Sequence, residues 1–160
     1  MTAAVLVIAI GNESRGDDAL GPLLLRRLRE VERSENIELL EDFQLQVEHA
    51  LDLQQRELVL FVDAGCATPA PYAFHRIQAS GERALFSHAL APQAVLATYL
   101  QLYRQEPPPS FVLCLRGERF ELGSGLSPAA AAHLDMAAAF AQRLLEVPTP
   151  AAWQAHAAPC

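Results

Sequence analysis

Apolar residues occur along this chain in short unbroken runs, separated by longer stretches in which they recur every three or four positions. Unbroken runs of four to six apolar residues are typical of strands that are covered on both faces. The alternating segment Tyr72–Gln78 is typical instead of an edge strand. The strands predicted from the unbroken runs are Val5–Ile10, Ile37–Leu40, Leu58–Val62 and Phe111–Leu115.

Three segments between these strands carry an apolar stripe at helical spacing. They are Leu20–Val31, Gln46–Leu53 and Pro92–Tyr103. A fourth, longer helix is predicted to begin with Ser127 as its N-cap and Pro128 as its first residue, and to end near Val147.

Alternating strands and helices predict an α/β fold with three α-β-α layers, in which helices flank a twisted, mostly parallel or mixed sheet of about five strands. Residues 1–147 are expected to form a single domain. The segment 148–160 is rich in alanine and shows no clear periodicity, so a mobile C-terminal tail is predicted there.

Composition narrows the functional classes. The 160 residues carry a net charge of −7, and no basic stripe offers itself to phosphates, which argues against a nucleic-acid partner. No apolar stretch approaches the roughly 20 residues of a membrane span. Met1-Thr2-Ala3 leads straight into the first strand, so no signal peptide is expected. Cys66, Cys114 and Cys160 form no CxxC pair, which favours a reducing cytoplasm.

Carboxylates follow two of the predicted strands. The loop after the first strand ends in Asp17 and Asp18, and Asp63 follows the third strand. Ligands of open α/β sheets bind at the carboxyl ends of the strands, so a metal site or an acid/base pair is predicted there. Neighbouring side chains point apart, so we expect Asp17 to cap or brace the loop while Asp18 faces the cleft.

His88 is the histidine best placed to join these carboxylates, because it lies in the loop that enters the helix at Pro92. Two carboxylates and one imidazole suit a divalent metal such as nickel or zinc. Binding should weaken below roughly pH 6 as the histidine protonates. The other four histidines carry no such signal: His49, His75, His133 and His156.

Other chemistries have weaker support. The glycine-containing loop at 11–18 matches neither common phosphate-binding motif. Nucleophilic side chains exist, but none stands in a G-x-S-x-G motif. Cys66 remains open as an extra metal ligand, and Cys114 is expected to pack inside a strand. The candidate nucleophiles are Ser14, Ser87, Ser127, Cys66 and Cys114.

Four motifs, in this order and spacing, resemble those of the nickel–iron hydrogenase maturation endopeptidases. The resemblance extends from about residue 4 to residue 147. The motifs are Ile8-Ala9-Ile10-Gly11-Asn12 with Gly16-Asp17-Asp18-Ala19-Leu20-Gly21-Pro22, Phe61-Val62-Asp63-Ala64, Ser87-His88-Ala89-Leu90-Ala91-Pro92, and Gly117–Gly123 with Gly125-Leu126-Ser127-Pro128.

The resemblance implies an endopeptidase that removes a C-terminal extension from the precursor of the hydrogenase large subunit. Asp18, Asp63 and His88 would be its catalytic and metal-contacting residues. It further implies that no cofactor is tightly bound, that the precursor contributes the nickel, and that zinc or cadmium can take the nickel's place in crystals. A cytoplasmic monomer is expected.

Two departures from the family pattern stand out. The first acidic position is commonly Glu in the family and is Asp18 here. The segment 42–48 replaces a turn rich in glycine and threonine, as in the branch that serves soluble, cofactor-reducing hydrogenases. Two other functions stay open: a nickel-checkpoint protein that binds the same precursor without cutting it, and a general metal-dependent peptidase that holds its own metal.

Overall fold

A five-stranded sheet forms the centre of the molecule. The computed structural model describes residues 2–80 and 90–158. The strands lie in the order β2-β1-β3-β5-β4, and all neighbours pair in parallel except β4, which is antiparallel to β5 at the edge. This confirms the mostly parallel sheet and the edge strand predicted from the sequence. The strands are β1 (Val5–Ile10), β2 (Ile37–Asp42), β3 (Leu58–Gly65), β4 (Tyr72–Ile77) and β5 (Ser110–Arg116).

Helices cover both faces of the sheet, which confirms the three-layer α/β architecture. On one face α1, α4 and α5 contribute to a core around Phe111 and Trp153. On the other face α2 and α3 cover a second core around Phe61. The helices are α1 (Leu20–Val31), α2 (His49–Asp52), α3 (Pro92–Tyr103), α4 (Pro128–Glu146) and α5 (Pro150–His156).

Strand β1 shows why an unbroken apolar run suits this position. Val5, Val7 and Ala9 pack into the core under α1 and α4, because successive side chains point to opposite faces. Leu6, Ile8 and Ile10 pack into the core under α2 and α3. Every residue of this strand is therefore buried.

Strands β2 to β5 and helix α2 differ in length from their predictions. Strand β3 continues to Gly65, so Asp63 lies inside the strand, paired in register with Cys114. Helix α2 begins at His49 rather than Gln46. The residues before it form tight turns, in which the N–H of His49 donates to the carbonyl of Gln46. The Gln46 N–H donates to Nδ1 of the His49 ring at 2.9 Å.

The prediction of a mobile tail is wrong for Pro150–His156, which form helix α5. Thr149 caps this helix by accepting a hydrogen bond from the Ala152 N–H. Trp153 is fully buried and donates its indole N–H to the Leu144 carbonyl at 2.8 Å. Trp153 therefore anchors the segment to the core. The sequence did not predict this helix, because seven residues are too few to show helical periodicity.

No helix within residues 2–80 and 90–158 has the length and apolar character needed to cross a membrane.

Replacing Trp153 with Ala tests the anchoring role of α5. We expect a loss of about 3–5 kcal/mol in the free energy of unfolding, because the substitution leaves a large cavity in the core. The measurement is urea denaturation followed by circular dichroism. Gln154→Ala, at an exposed position of the same helix, is the matched control; equal effects of the two variants would contradict a docked helix.

Candidate active site at the carboxyl edge of the sheet

Close backbone contacts bring the loop after β1 against the ends of two strands. A Cβ on Gly21 would lie 2.4 Å from the Ile10 carbonyl oxygen and 3.2 Å from that of Val62. A Cβ on Gly11 would collide with the Asp18 carbonyl oxygen. Glycine at both positions therefore allows α1 to begin directly above the ends of β1 and β3, which places Asp18 beside Asp63.

The two carboxylates are held by backbone donors. Asp18 is half-buried, and its Oδ2 accepts the Asn12 N–H at 2.8 Å. Oδ1 of Asp63 accepts the N–H of the next residue, Ala64, at 2.7 Å. Neither carboxylate forms an ion pair with a Lys, Arg or His side chain in the described part of the chain.

Among the described residues, no cationic side chain offsets the charge of this pair. Burial raises the pKa of Asp63 from 3.8 to about 7; the Ala64 N–H opposes this shift, and the negative charge of Asp18 adds to it. The structure thus brings together two of the three predicted site residues. A cation placed between them would relieve their repulsion.

Asp17 turns away from Asp18 and braces the site. Its fully buried carboxylate accepts the backbone N–H groups of Glu118 and Arg119 at 2.7 and 3.0 Å. It also accepts both the N–H and the hydroxyl of Ser127, each at 2.7 Å. Burial alone would raise the pKa of Asp17, but these hydrogen bonds outweigh it and hold the pKa below 3.8.

The bracing role predicted for Asp17 is confirmed, although its partners belong to a distant loop rather than to the helix that follows it. Ser127 is the N-cap of α4, as predicted, since its hydroxyl accepts the Ala130 N–H. The Asp17 carboxylate therefore joins the loop after β1 to the loop between β5 and α4.

His88, the third predicted site residue, lies outside the described residues, so its place in the site stays a prediction. Within residues 2–80 and 90–158, no three His, Cys, Asp or Glu side chains are arranged to hold a metal ion. His133 donates a hydrogen bond from Nδ1 to the Arg116 carbonyl at 2.8 Å.

The cysteines near Asp63 differ in their surroundings. Cys114 is half-buried, as expected for a packed strand residue, and its sulfur lies 2.9 Å from the Thr68 hydroxyl. Burial raises the pKa of the Cys114 thiol, which favours its protonated form. Cys66 is exposed just after the end of β3.

Solved structures of similar architecture were found by comparison, whereas neither protein-family models nor curated proteins gave a match. A NiFe hydrogenase maturation protease, HycI, from Thermococcus kodakarensis has a TM-score of 0.72 at 21% identity, over 90% of this chain and 93% of its own. The hydrogenase maturating endopeptidase HybD from E. coli has a TM-score of 0.71 at 23% identity, over 91% of this chain and 93% of its own.

The chain has the fold of the NiFe hydrogenase maturation proteases.

One feature of this maturation-protease fold was missed by the sequence analysis. Asp42, the last residue of β2, accepts a hydrogen bond from the buried His49 ring and lines a cleft beside Asn12. The sequence did contain a signal for Asp42, because β2, like β1 and β3, leads into an acidic residue. It was missed because β2 was predicted to end at Leu40.

Replacing Asp17 with Asn should lower the free energy of unfolding by about 2–4 kcal/mol. The amide would turn N–H groups toward backbone donors and would remove the charge-assisted bonds. Denaturant titration at pH 7 measures the loss. Asp135→Asn, which breaks a surface pair with Arg27, is the control and should change stability by less than about 1 kcal/mol.

The stabilisation from Asp17 also depends on pH. Because its pKa is depressed in the folded state, the stabilisation is present above pH 3.8 and is lost as the pH falls through the native pKa. An Asp17→Asn variant with unchanged unfolding would contradict the bracing role.

Asp63 should affect stability in the opposite sense. Its pKa is raised in the folded state, so its contribution is fully present below pH 3.8 and is lost as the pH rises through about 7. Asp63→Asn is therefore expected to be more stable than the native protein above pH 7, by about 1–3 kcal/mol. Urea titrations from pH 4 to 8 measure this difference; a difference that does not change with pH would contradict the raised pKa.

Proposed function

We propose that this chain is an endopeptidase that removes the C-terminal extension from a nickel-loaded hydrogenase large-subunit precursor. The observation that carries the proposal is the pair Asp18 and Asp63, adjacent at the carboxyl edge of the sheet and without a cationic partner in the described residues. The similar structures named above are maturation proteases or endopeptidases of hydrogenases, which supports the same reaction class.

In this proposal the nickel belongs to the substrate. The precursor docks its nickel-bearing end so that Asp18, Asp63 and His88 complete the coordination of the metal. Nickel binding requires an ionised Asp63, and the positive charge of the metal favours that form against the burial and the Asp18 charge that raise the pKa of this group. An unloaded precursor offers no shared ligand and is expected to remain uncut.

The cleavage step follows from the placement of this metal. Nickel held between enzyme and precursor would position the scissile peptide, and it would polarise the carbonyl of that peptide or activate a water molecule. Water is the nucleophile in this scheme, because the sequence contains no nucleophile–base motif. Two of the candidate nucleophiles are also unsuited by position, since Ser127 is buried as a helix cap and burial raises the pKa of the Cys114 thiol.

Intact mass spectrometry of a nickel-loaded precursor tests the proposal. The native protein should release a C-terminal peptide, whereas Asp63→Asn should lose most of that activity while remaining folded. Cleavage of nickel-free precursor at the same rate would contradict the role of nickel. A full-length precursor that co-purifies with this protein would instead indicate the non-cleaving checkpoint protein, and a metal retained by the purified enzyme would indicate the general peptidase.

Asp18 allows a test of the shorter side chain at the first acidic position. Asp18→Glu restores the residue common in the family and should retain cleavage, because charge and ligand type are kept. Asp18→Asn should lower the cleavage rate at least about 100-fold, as expected when a metal-contacting carboxylate is removed. Equal rates for Asp18→Asn and the native protein would place the nickel contact elsewhere.

A further inference from the structure

A cleft of about 380 Å³ opens next to the candidate active site. Its walls are formed by residues 11–14 after β1 and residues 41–43 at the end of β2. Asn12 belongs to both sites, since it lines the cleft and its N–H donates to Oδ2 of Asp18. A peptide bound at the two carboxylates would therefore have this cleft directly beside it.

Asp42 presents a fixed carboxylate to the cleft. Its Oδ1 accepts the Phe43 N–H at 2.7 Å, and its Oδ2 lies 3.2 Å from Nε2 of His49. The His49 side chain is 7% exposed, whereas that of Asp42 is 44% exposed. The carboxylate is thus held from the protein side and remains accessible from the cleft.

The hydrogen bonds of His49 define its tautomer. Nδ1 accepts the Gln46 N–H at 2.9 Å, so it carries no proton in this arrangement. The ring proton then lies on Nε2, which donates to Asp42. A neutral imidazole orients the carboxylate without cancelling its charge.

The other two acidic residues of the cleft already have cationic partners. Glu13 forms an ion pair with Arg26, and Glu41 approaches Arg29 at 3.8 Å. Asp42 forms no ion pair with Lys or Arg among the residues that the structure describes. Among the described residues, the cleft therefore contains one oriented carboxylate whose charge no Lys or Arg side chain balances.

Phe43 adds an aromatic surface to the same cleft. Its side chain is among the most exposed large apolar groups of the described chain, at 71%. An aromatic face next to a carboxylate suits a guanidinium, which stacks on the ring and donates paired N–H groups to the oxygens. The volume of the cleft admits one long side chain.

We propose that this cleft is a specificity subsite for an arginine side chain of the substrate peptide. Asp42 is the specificity-determining residue, Phe43 supplies the stacking surface, and His49 is a positioning residue that acts through Asp42. The identity of that peptide as part of the hydrogenase precursor rests on the proposed function. The capacity of the cleft to bind arginine does not.

Binding of short peptides tests the subsite without any cleavage. Two acetylated, amidated pentapeptides are titrated into the ¹⁵N-labelled protein, one with a central arginine between alanines and one with citrulline, which has the same shape but no charge. We expect the arginine peptide to shift the amide signals of Asn12, Ser14 and Phe43, and to bind about tenfold more tightly than the citrulline peptide. Equal affinities, shifts elsewhere, or no binding at millimolar concentration would overturn the proposal.

Variants assign the discrimination to individual residues. Asp42→Asn should reduce the affinity ratio of arginine over citrulline to about one, and Phe43→Ala should weaken the arginine peptide several-fold without touching the Asp42–His49 pair. Glu41→Gln, in the same wall but paired with Arg29, is the matched control and should keep the full ratio. Loss of the ratio in this control would overturn the assignment to Asp42.

The positioning role of His49 is tested with the same ratio of affinities for the arginine and citrulline peptides. If a variant is partly unfolded, the apparent affinities for both peptides fall by the same factor, so their ratio does not change. His49→Gln keeps a side-chain donor for Asp42 and should retain the discrimination, whereas His49→Leu should lower it. Equal ratios in both variants would overturn this role.

Cleavage of the precursor is measured separately. For Asp42→Asn we expect a raised KM with kcat nearly unchanged, whereas Asp63→Asn should lose most of its cleavage activity. A precursor that remains uncut by the native protein, together with selective binding of the arginine peptide, would reject the proposed function and leave the subsite standing. Cleavage of the precursor together with equal binding of the arginine and citrulline peptides would support the proposed function and reject the arginine subsite.

Discussion

The buried carboxylate of Asp17 is the contact on which the candidate site depends. It accepts four hydrogen bonds from residues that lie about one hundred positions further along the chain. An ionised group fully removed from water is tolerated only when its oxygens are saturated in this way. The bonds join the turn that carries Asp18 to the N-terminus of α4, so the geometry of the site is coupled to the packing of a whole helix layer.

At Asp63, in contrast, the effect of burial on the pKa outweighs that of hydrogen bonding. Asp17 is stabilised as an anion by three backbone N–H groups and the Ser127 hydroxyl, whereas Asp63 has one backbone donor, is partly buried and faces the charge of Asp18. The folded state therefore destabilises the ionised form of Asp63. A cation bound between Asp18 and Asp63 would stabilise the ionised form of Asp63. Ionising Asp63 lowers the stability of the folded state, and carboxylates with such perturbed pKa values are often found at functional sites.

The end of β2 extends the same edge of the sheet. Asp42 pairs in register with Ile10, the last residue of β1, and its carbonyl accepts the Gly11 N–H. The parallel arrangement thus brings Asp18, Asp63 and Asp42 to one side of the molecule. Asp18 and Asp63 have no ion-pair partner in the described chain, whereas the Asp42 carboxylate is hydrogen-bonded to the buried His49 ring.

The sequence determined most of the fold by itself. Strand β1 and helices α1 and α3 have the predicted ends, because an unbroken apolar run, a helical stripe and Pro92 are local signals. The start of α4 was equally local, since Ser127 and Pro128 form a cap and a first turn. The carboxylates after β1 and on β3 could be identified because parallel strands end at one edge.

Only the tertiary structure decided how these residues are used. The four donors of Asp17, the raised pKa of Asp63, the bond between Asp42 and His49 and the burial of Trp153 all join residues that are distant in sequence or depend on enclosure by other elements. Hydrogen bonding, desolvation and packing act through space. A pattern along the chain names the residues that could make such contacts, whereas the fold selects the partners and sets the charge that each group carries.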